Sequence, residues 1–368
     1  MTAKQAVERF IHPGCHIAFG GFTILRRPMA IAREIVRQNI GELFVTMNGG
    51  TIVEEMLAGA GLIKWLETTY LGMDGGMPVA YAVRRGIELG EIELVEDYSN
   101  WSFAQRTLAG RLGLPFMPCM GNMGTDLLSY DIFGEAGLRG KKEDGSPMHA
   151  GIPCKKFEII DDPFEGYGLR PAAFEDGKED SCGNTTNIYR RRGAFSKAYT
   201  GKEGVKVMVV PPLKPEVTVI HAQRVAVDGT VRMEGLVGAD FDQGLCGRDL
   251  IVECERVCPA DELRHIPEHN QIAPHFVKAI VPQPFGAYPT VVPNYYDYDY
   301  DWFTTYTKEV NHKPMEQVRA WWLEHVAGTK DDWDYLTKRV GLAKMAALRT
   351  DPRYHYNPNI DRFGGEHR

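Results

Sequence analysis

Two textures alternate along the first 130 residues. Short apolar runs, many ending in glycine, are followed by stretches whose apolar positions recur at helical spacing. HIAFG (16–20) reads as a buried strand, then RPMAIAREIVRQN (27–39) as a helix with Met29, Ala32, Ile35 and Val36 on one face. Pro28 suits the first helical turn, where its missing N–H costs nothing. ELFVTM (42–47) is the next predicted strand, TIVEEMLAGAG (51–61) a helix and LETTYLGM (66–73) a strand. PVAYAVRRGIELG (78–90) is helical, IELVE (92–96) extended and SFAQRTLAGRLG (102–113) helical. Strand followed by helix, repeated, is the pattern of a parallel sheet covered on both faces. The expected fold is an open three-layer α/β/α sandwich.

The pattern then breaks. LRGKKEDGSP (138–147) reads as an exposed loop, and residues 165–204 are polar, glycine-containing and nearly free of apolar periodicity. We read that segment as a surface insertion; Arg190, Arg191 and Arg192 lie within it. Core-like strands resume at 205–212, 217–222 and 249–257, and 277–289 carries a strand into a proline-rich loop. Residues 314–348 are helical in texture. The expected organisation is one α/β unit over 1–350, interrupted by the insertion, and a tail at 351–368.

Composition narrows the function. The hydrophobic fraction is 43% and the charged fraction 25%, which suits a packed globular chain. Lys and Arg number 42 against 49 Asp and Glu, a net charge of −7, which argues against a general nucleic-acid binder. No run reaches the ~18 apolar residues of a membrane span, and the first residues lack the basic-then-apolar pattern of a signal peptide. The expectation is a cytoplasmic protein. The seven cysteines are an odd, sparse set, read as buried thiols and not as a disulfide framework.

Metal chemistry finds little support in the sequence. Cys254 and Cys258 have no second pair, and Pro267 spoils a helix that would align His265 with His269. His12 and His16 flank a Pro13-Gly14 turn. No H-E-x-x-H occurs, and Asp297, Asp299 and Asp301 in YYDYDYDW lack the glycine and glutamate of a calcium loop. That stretch reads as a polar, aromatic contact surface, and no catalytic metal is expected.

The candidate chemistry lies at the strand ends. Gly20, Gly21 and Phe22 form a turn between a strand and a helix, where backbone N–H groups can face a phosphate or a developing oxyanion. The same residues also serve a plain tight turn. Asn48-Gly49-Gly50 and Gly75-Gly76 mark the next strand ends, and ligands of open parallel sheets bind outside the carboxyl ends of strands. Glu96 ends the fourth strand as a base or nucleophile, or else belongs to a helix start capped by Ser99 or Asn100. Glu54 and Glu55 lie in a helical run and are expected on its solvated face.

Several segments together resemble, in order, the α subunit of class I CoA-transferases, and most closely that of glutaconate CoA-transferase. They are HIAFGGFTILRRPMA (16–30), EIELVEDYS (91–99), LAGRLGLPFMP (108–118), VTVIHAQRVAVDGTVRMEG (217–235), LIVECERV (250–257) and FGAYPTVVPNYYDYD (285–299). The resemblance implies an α/β/α sandwich that moves CoA between carboxylic acids. It implies a glutamate nucleophile carried by a β subunit, through a mixed anhydride and a glutamyl-CoA thioester. The partner would be that β subunit, in a heterodimer, an α2β2 assembly or a larger one. CoA thioester would be a substrate, with no permanently bound cofactor. Residues expected near substrate or CoA are Gly20, Gly21, Phe22, Arg27, Asn48, Gly49, Gly50, Gly75, Gly76, Met77 and Ser99. Where the glutaconate enzyme carries serine near the acyl group, this chain reads Met73-Asp74-Gly75-Gly76-Met77-Pro78, which implies a more apolar acyl group than glutaconate.

Arg26-Arg27-Pro28-Met29-Ala30 is also similar to the R-x-P-M-A of the α subunit of the steroid-ring-opening CoA-thioester hydrolase, which shares the fold. That enzyme's acting glutamate follows the fourth strand. Here Ser99 occupies the matching position, and Glu96, three residues earlier, would be the base. A third alternative is a non-catalytic acyl-CoA-binding subunit.

Overall fold

The computed structural model describes residues 1–72, 79–163, 200–201, 204–310 and 313–360. Most of the 165–204 segment, with its three arginines, and the end of the tail lie outside the described residues.

The main sheet is built from β1 (His16–Phe19), β2 (Leu43–Thr46), β3 (Ile63–Thr68), β4 (Leu94–Asp97), β9 (Val217–Ala226), β11 (Asp249–Cys258) and β12 (Val277–Pro282). These run in the order β12-β11-β9-β1-β2-β3-β4, with every neighbouring pair parallel. A short β10 (Val231–Arg232) pairs antiparallel with β9. β3 starts and ends several residues before the expected 66–73. Of its first residues, Ile63 is buried while Lys64 and Trp65 are half-buried, because β3 lies toward one side of the sheet.

Alternation along the strands supplies two apolar faces. Ile17, Phe19, Val45, Leu66, Val217, Val219 and Ile251 join one core with α1 (Ala3–Phe10), α2 (Met29–Gln38), α3 (Ile52–Gly59), α4 (Tyr81–Glu88) and the C-terminal helices. Ile220, Ala222, Leu250 and Val252 face the other way, toward the helix Asp240–Cys246. Phe44 and the half-buried Leu94 form a separate cluster with Phe133 and Ile152. A parallel sheet with helical layers on both sides results, as expected.

One expectation fails. Residues 205–212 read as a return to the core, but the strand there, β8 (Gly204–Val210), joins a second, antiparallel sheet with β5 (Met117–Pro118), β6 (Glu158–Asp161) and β7 (Thr200–Gly201). Its buried Met208 and Val210 pack on Cys119 and Met123. An apolar strand pattern specifies burial, and not which sheet supplies it.

The helical tail belongs to the core. α2 is buried on almost every side, because the C-terminal helices cover its outer face. Arg33 of α2 forms a bidentate pair with Asp332, at 2.5 and 2.8 Å, and donates to the Tyr288 and Gly286 carbonyls. Such a fork satisfies a buried guanidinium. Asn357 is buried as well and donates to the carbonyls of Ala347 and Arg349.

The YYDYDYDW stretch is partly built into the fold. Asp299 accepts from Tyr288 Oη at 2.7 Å and from Trp302 N at 3.3 Å, starting the helix Tyr300–Val310. Asp297 and Asp299 are buried; only Asp301 projects outward, beside Lys344.

Candidate functional site

The chain steps outward from β1 to β4, then returns to place β9 on the other side of β1. This reversal is a topological switch point, and a crevice for ligands is expected at its carboxyl side. Gly20, Gly21 and Phe22 stand there. Gly20 and Gly21 are buried and Phe22 is half-buried.

The turn is tightly specified. Gly21 has φ +83°, and Thr23 and Arg26 also adopt left-handed angles of +49° and +45°. Non-glycine residues hold such angles only where surroundings over-determine them. Here Asp240 does so. Its carboxylate accepts the Gly21 N–H and pairs with the buried Arg26 at 2.8 Å. Arg26 also donates to the carbonyls of Glu234 and Val237.

The N–H groups of the turn are therefore in use. Gly20 N donates to the Val219 carbonyl at 2.7 Å, Gly21 N to Asp240, and Phe22 N to the Leu25 carbonyl at 3.1 Å. The expectation that this turn presents free N–H groups to an oxyanion is corrected. Of the three residues, only Phe22 is partly open to solvent.

Neighbouring strand ends are laced to it. A Cβ on Gly49, whose φ is +67°, would lie 2.7 Å from the Phe22 ring, so only glycine lets the two turns stack. Thr23 N donates to the Gly49 carbonyl, and Thr51 Oγ1 to the Thr23 carbonyl. After β3, Thr69 Oγ1 receives the Gly49 N–H at 3.2 Å and contacts the Asn48 and Asn100 side-chain oxygens. Gly50 N donates to the Tyr70 carbonyl. Ser99 caps α5 (Asn100–Leu112), accepting from Ser102 N at 3.1 Å. The ends of β1 to β4 thus form one continuous rim, with Phe22, Thr69, Tyr70 and Asn100 at least partly exposed on it.

The carboxylates near this rim are mostly locked away. Glu54 and Glu55 are fully buried and not solvated. Glu54 pairs with Arg27 at 3.1 Å and accepts from Thr51 N, while Glu55 accepts from Ala82 N, Val83 N and Tyr306 Oη. Burial raises both acids above the ordinary range, Glu55 to about 6. Arg27 is also fully buried, with Met47 Sδ 3.1 Å away, so this conformation keeps it from any ligand. Glu67 pairs with Arg106 at 2.6 Å. Asp97 is the exception: it is exposed at the end of β4, and partial desolvation raises its pKa.

A Coenzyme A transferase family model matches residues 1–283. The chain belongs to the coenzyme A transferase family. It is 32% identical over 359 residues to the A subunit of glutaconate CoA-transferase from Acidaminococcus fermentans, covering 97% of this chain and 96% of that one. The crystal structure of glutaconate coenzyme A-transferase from that organism superposes with a TM-score of 0.77 at 31% identity, over 98% of both chains. The chain is also 26% identical to the A subunit of 3-oxoadipate CoA-transferase from Pseudomonas knackmussii, covering 92% and 97%.

Within this coenzyme A transferase chain, Glu96 is not placed as a base. It is fully buried, ion-paired with Lys156 and with Arg139 at 3.1 Å, and accepts from Phe133 N at 3.2 Å. A base needs access to the proton it removes. Gly75, Gly76 and Met77 lie outside the described residues, with the rest of 73–78. Sequence reasoning missed Asp240 and Thr69. Thr69 was legible as the residue after a strand, once β3 is bounded correctly. Asp240 carries no local signal, since it reaches the turn from 219 residues away.

Proposed function

We propose that this chain is the α subunit of a heteromeric CoA-transferase, and that its rim forms half of an active site completed by a β subunit. The observation that carries the reading is the rim itself. Its buried carboxylates already have ion-pair or hydrogen-bond partners, while an exposed edge of Phe22, Thr69, Tyr70 and Asn100 faces outward. A glutamate brought by the partner attacks the acyl-CoA thioester, forming a mixed anhydride and releasing CoA thiolate. The thiolate then attacks the glutamyl carbonyl, giving a glutamyl-CoA thioester and free acid. A second acid reverses the sequence and leaves as its CoA ester. Phe22 and the hydroxyl of Thr69 face the acyl group in the completed site. The acyl group is more apolar than glutaconate, and the complex works in the cytoplasm. No helix among the described residues is long and apolar enough to cross a membrane.

The test uses the chain purified with its partner, incubated with an acyl-CoA and treated with borohydride, then mapped by mass spectrometry. Borohydride reduces a glutamyl-CoA thioester to an alcohol. The expected mass shift falls on a partner peptide. A shift on the peptide carrying Asp97 would move the nucleophile to this chain. Accumulation of free acid and CoA with no shift would replace transfer by hydrolysis.

A further inference from the structure

At the opposite, amino-terminal edge of the same central strands, His12, Cys15 and Glu216 converge. One donor atom from each lies within 4.8 Å of the other two. The geometry points to a divalent zinc site built from these three side chains, with water as the fourth ligand. It lies across the sheet from the rim and is independent of the proposed transfer reaction.

The local structure supports a ligand set. His12 and Cys15 belong to a turn in which Cys15 N donates to the His12 carbonyl at 3.0 Å, with Gly14 at φ +78°. Glu216 directly precedes β9, which pairs with β1. Two partners then orient the donors. His12 Nδ1 is 2.9 Å from the Pro13 carbonyl oxygen, which accepts only, so Nδ1 carries a proton. That leaves Nε2 facing Glu216 Oε2 at 3.4 Å. A cation between Nε2 and the Glu216 carboxylate would be held by both. Glu216 Oε1 accepts the His16 N–H at 3.2 Å, fixing the other carboxylate oxygen. Metal-bound histidines and carboxylates are held by such outer contacts.

The chemistry selects the ion. Thiolate, imidazole and carboxylate together suit zinc, whose bonds to sulfur, nitrogen and oxygen are about 2.0–2.3 Å. Tetrahedral bonds of that length put donors roughly 3.3–3.8 Å apart. At 3.4 Å, His12 Nε2 and Glu216 Oε2 already meet that spacing, and binding would draw the Cys15 sulfur in from within 4.8 Å. Binding releases the Cys15 thiol proton to solvent, leaving the thiolate on zinc. Arg248, whose side chain is 64% exposed, lies 3.7 Å from Glu216 and can swing away. The ion would tie the turn before β1 to the start of β9.

The test uses the chain with its partner, stripped with chelator, loaded with zinc sulfate and dialysed. One zinc per chain is expected. Cobalt(II) in its place should show a near-ultraviolet thiolate-to-cobalt band that C15S removes. Because Cys15 is buried, the exposed variant H12A carries the decision: zinc affinity falls at least about ten-fold, with turnover unchanged. Equal zinc retention by wild type and H12A, or no retention, would overturn the site and leave a plain His12–Glu216 ion pair. A cobalt band surviving in a folded C15S would also overturn it.

Discussion

The Gly21 N–H donates to the carboxylate of Asp240, which also holds the buried Arg26 guanidinium at 2.8 Å. The group that sequence reasoning assigns to an oxyanion is thus a structural donor. Asp240→Ala should cost about 3–5 kcal/mol, because it strands a buried Arg26. Urea titration of the complex measures this. Gly21→Val should fail for a related reason: a Cβ there lies 2.5 Å from the Leu25 carbonyl oxygen, at φ +83°. Loss of activity in that variant should come with a lowered melting temperature. A stable, inactive Gly21→Val would restore a direct role in catalysis.

Glu96→Gln separates structure from chemistry. The variant keeps shape but leaves Lys156 and Arg139 without their buried counter-charge. A loss of about 3–5 kcal/mol is expected, with turnover per folded enzyme nearly unchanged. Calorimetry beside steady-state kinetics reads both. A collapse of kcat at unchanged stability would return Glu96 to the reaction.

Two histidines set opposite pH limits. His16 is buried against Phe44, with Nε2 2.7 Å from Thr46 Oγ1, and burial lowers its pKa to about 3. Its unfolded value is near 6.5, so the unfolded state takes up the proton first, and stability falls as pH drops from 6.5 toward 3. His221 lies between Glu253 and Glu255, at 2.8 and 2.9 Å. Burial opposes its charge, but the two carboxylates prevail and raise it to about 9. Its stabilisation is complete below 6.5 and is lost as pH rises through 9. Melting temperature against pH should weaken on both sides. His16→Gln should flatten the acid limb, and His221→Gln the alkaline one.

Asp332→Ala should detach the helical tail from α2. Arg33 would remain buried with only carbonyl partners and the Tyr335 ring, 4.5 Å away. A loss of about 3–5 kcal/mol is expected. Faster hydrogen exchange in 315–348 than in β1 would locate the damage. Uniform protection would mean that the tail holds without this pair.

Periodicity and glycine positions by themselves determined the parallel sheet, its helical layers and the edge where the strand-end turns gather. Those features rest on local rules: helices and strands repeat at different periods, and tight strand ends need glycine. Hence β1, α2, β2, α3 and α5 could be read within a few residues. Tertiary structure alone decided what each polar group does there. Glu54 and Glu55 look like a solvated pair, because a helical run does not say that Arg27 and the start of α4 will close over it. Residues 205–212 look like core, because apolar alternation does not name the sheet that receives it. Asp240 is silent in the sequence, because its hydrogen bond to Gly21 depends on how the sheet reverses around β1. A carboxylate's role is set by its partners and its access to water, and both come from residues far away in the chain.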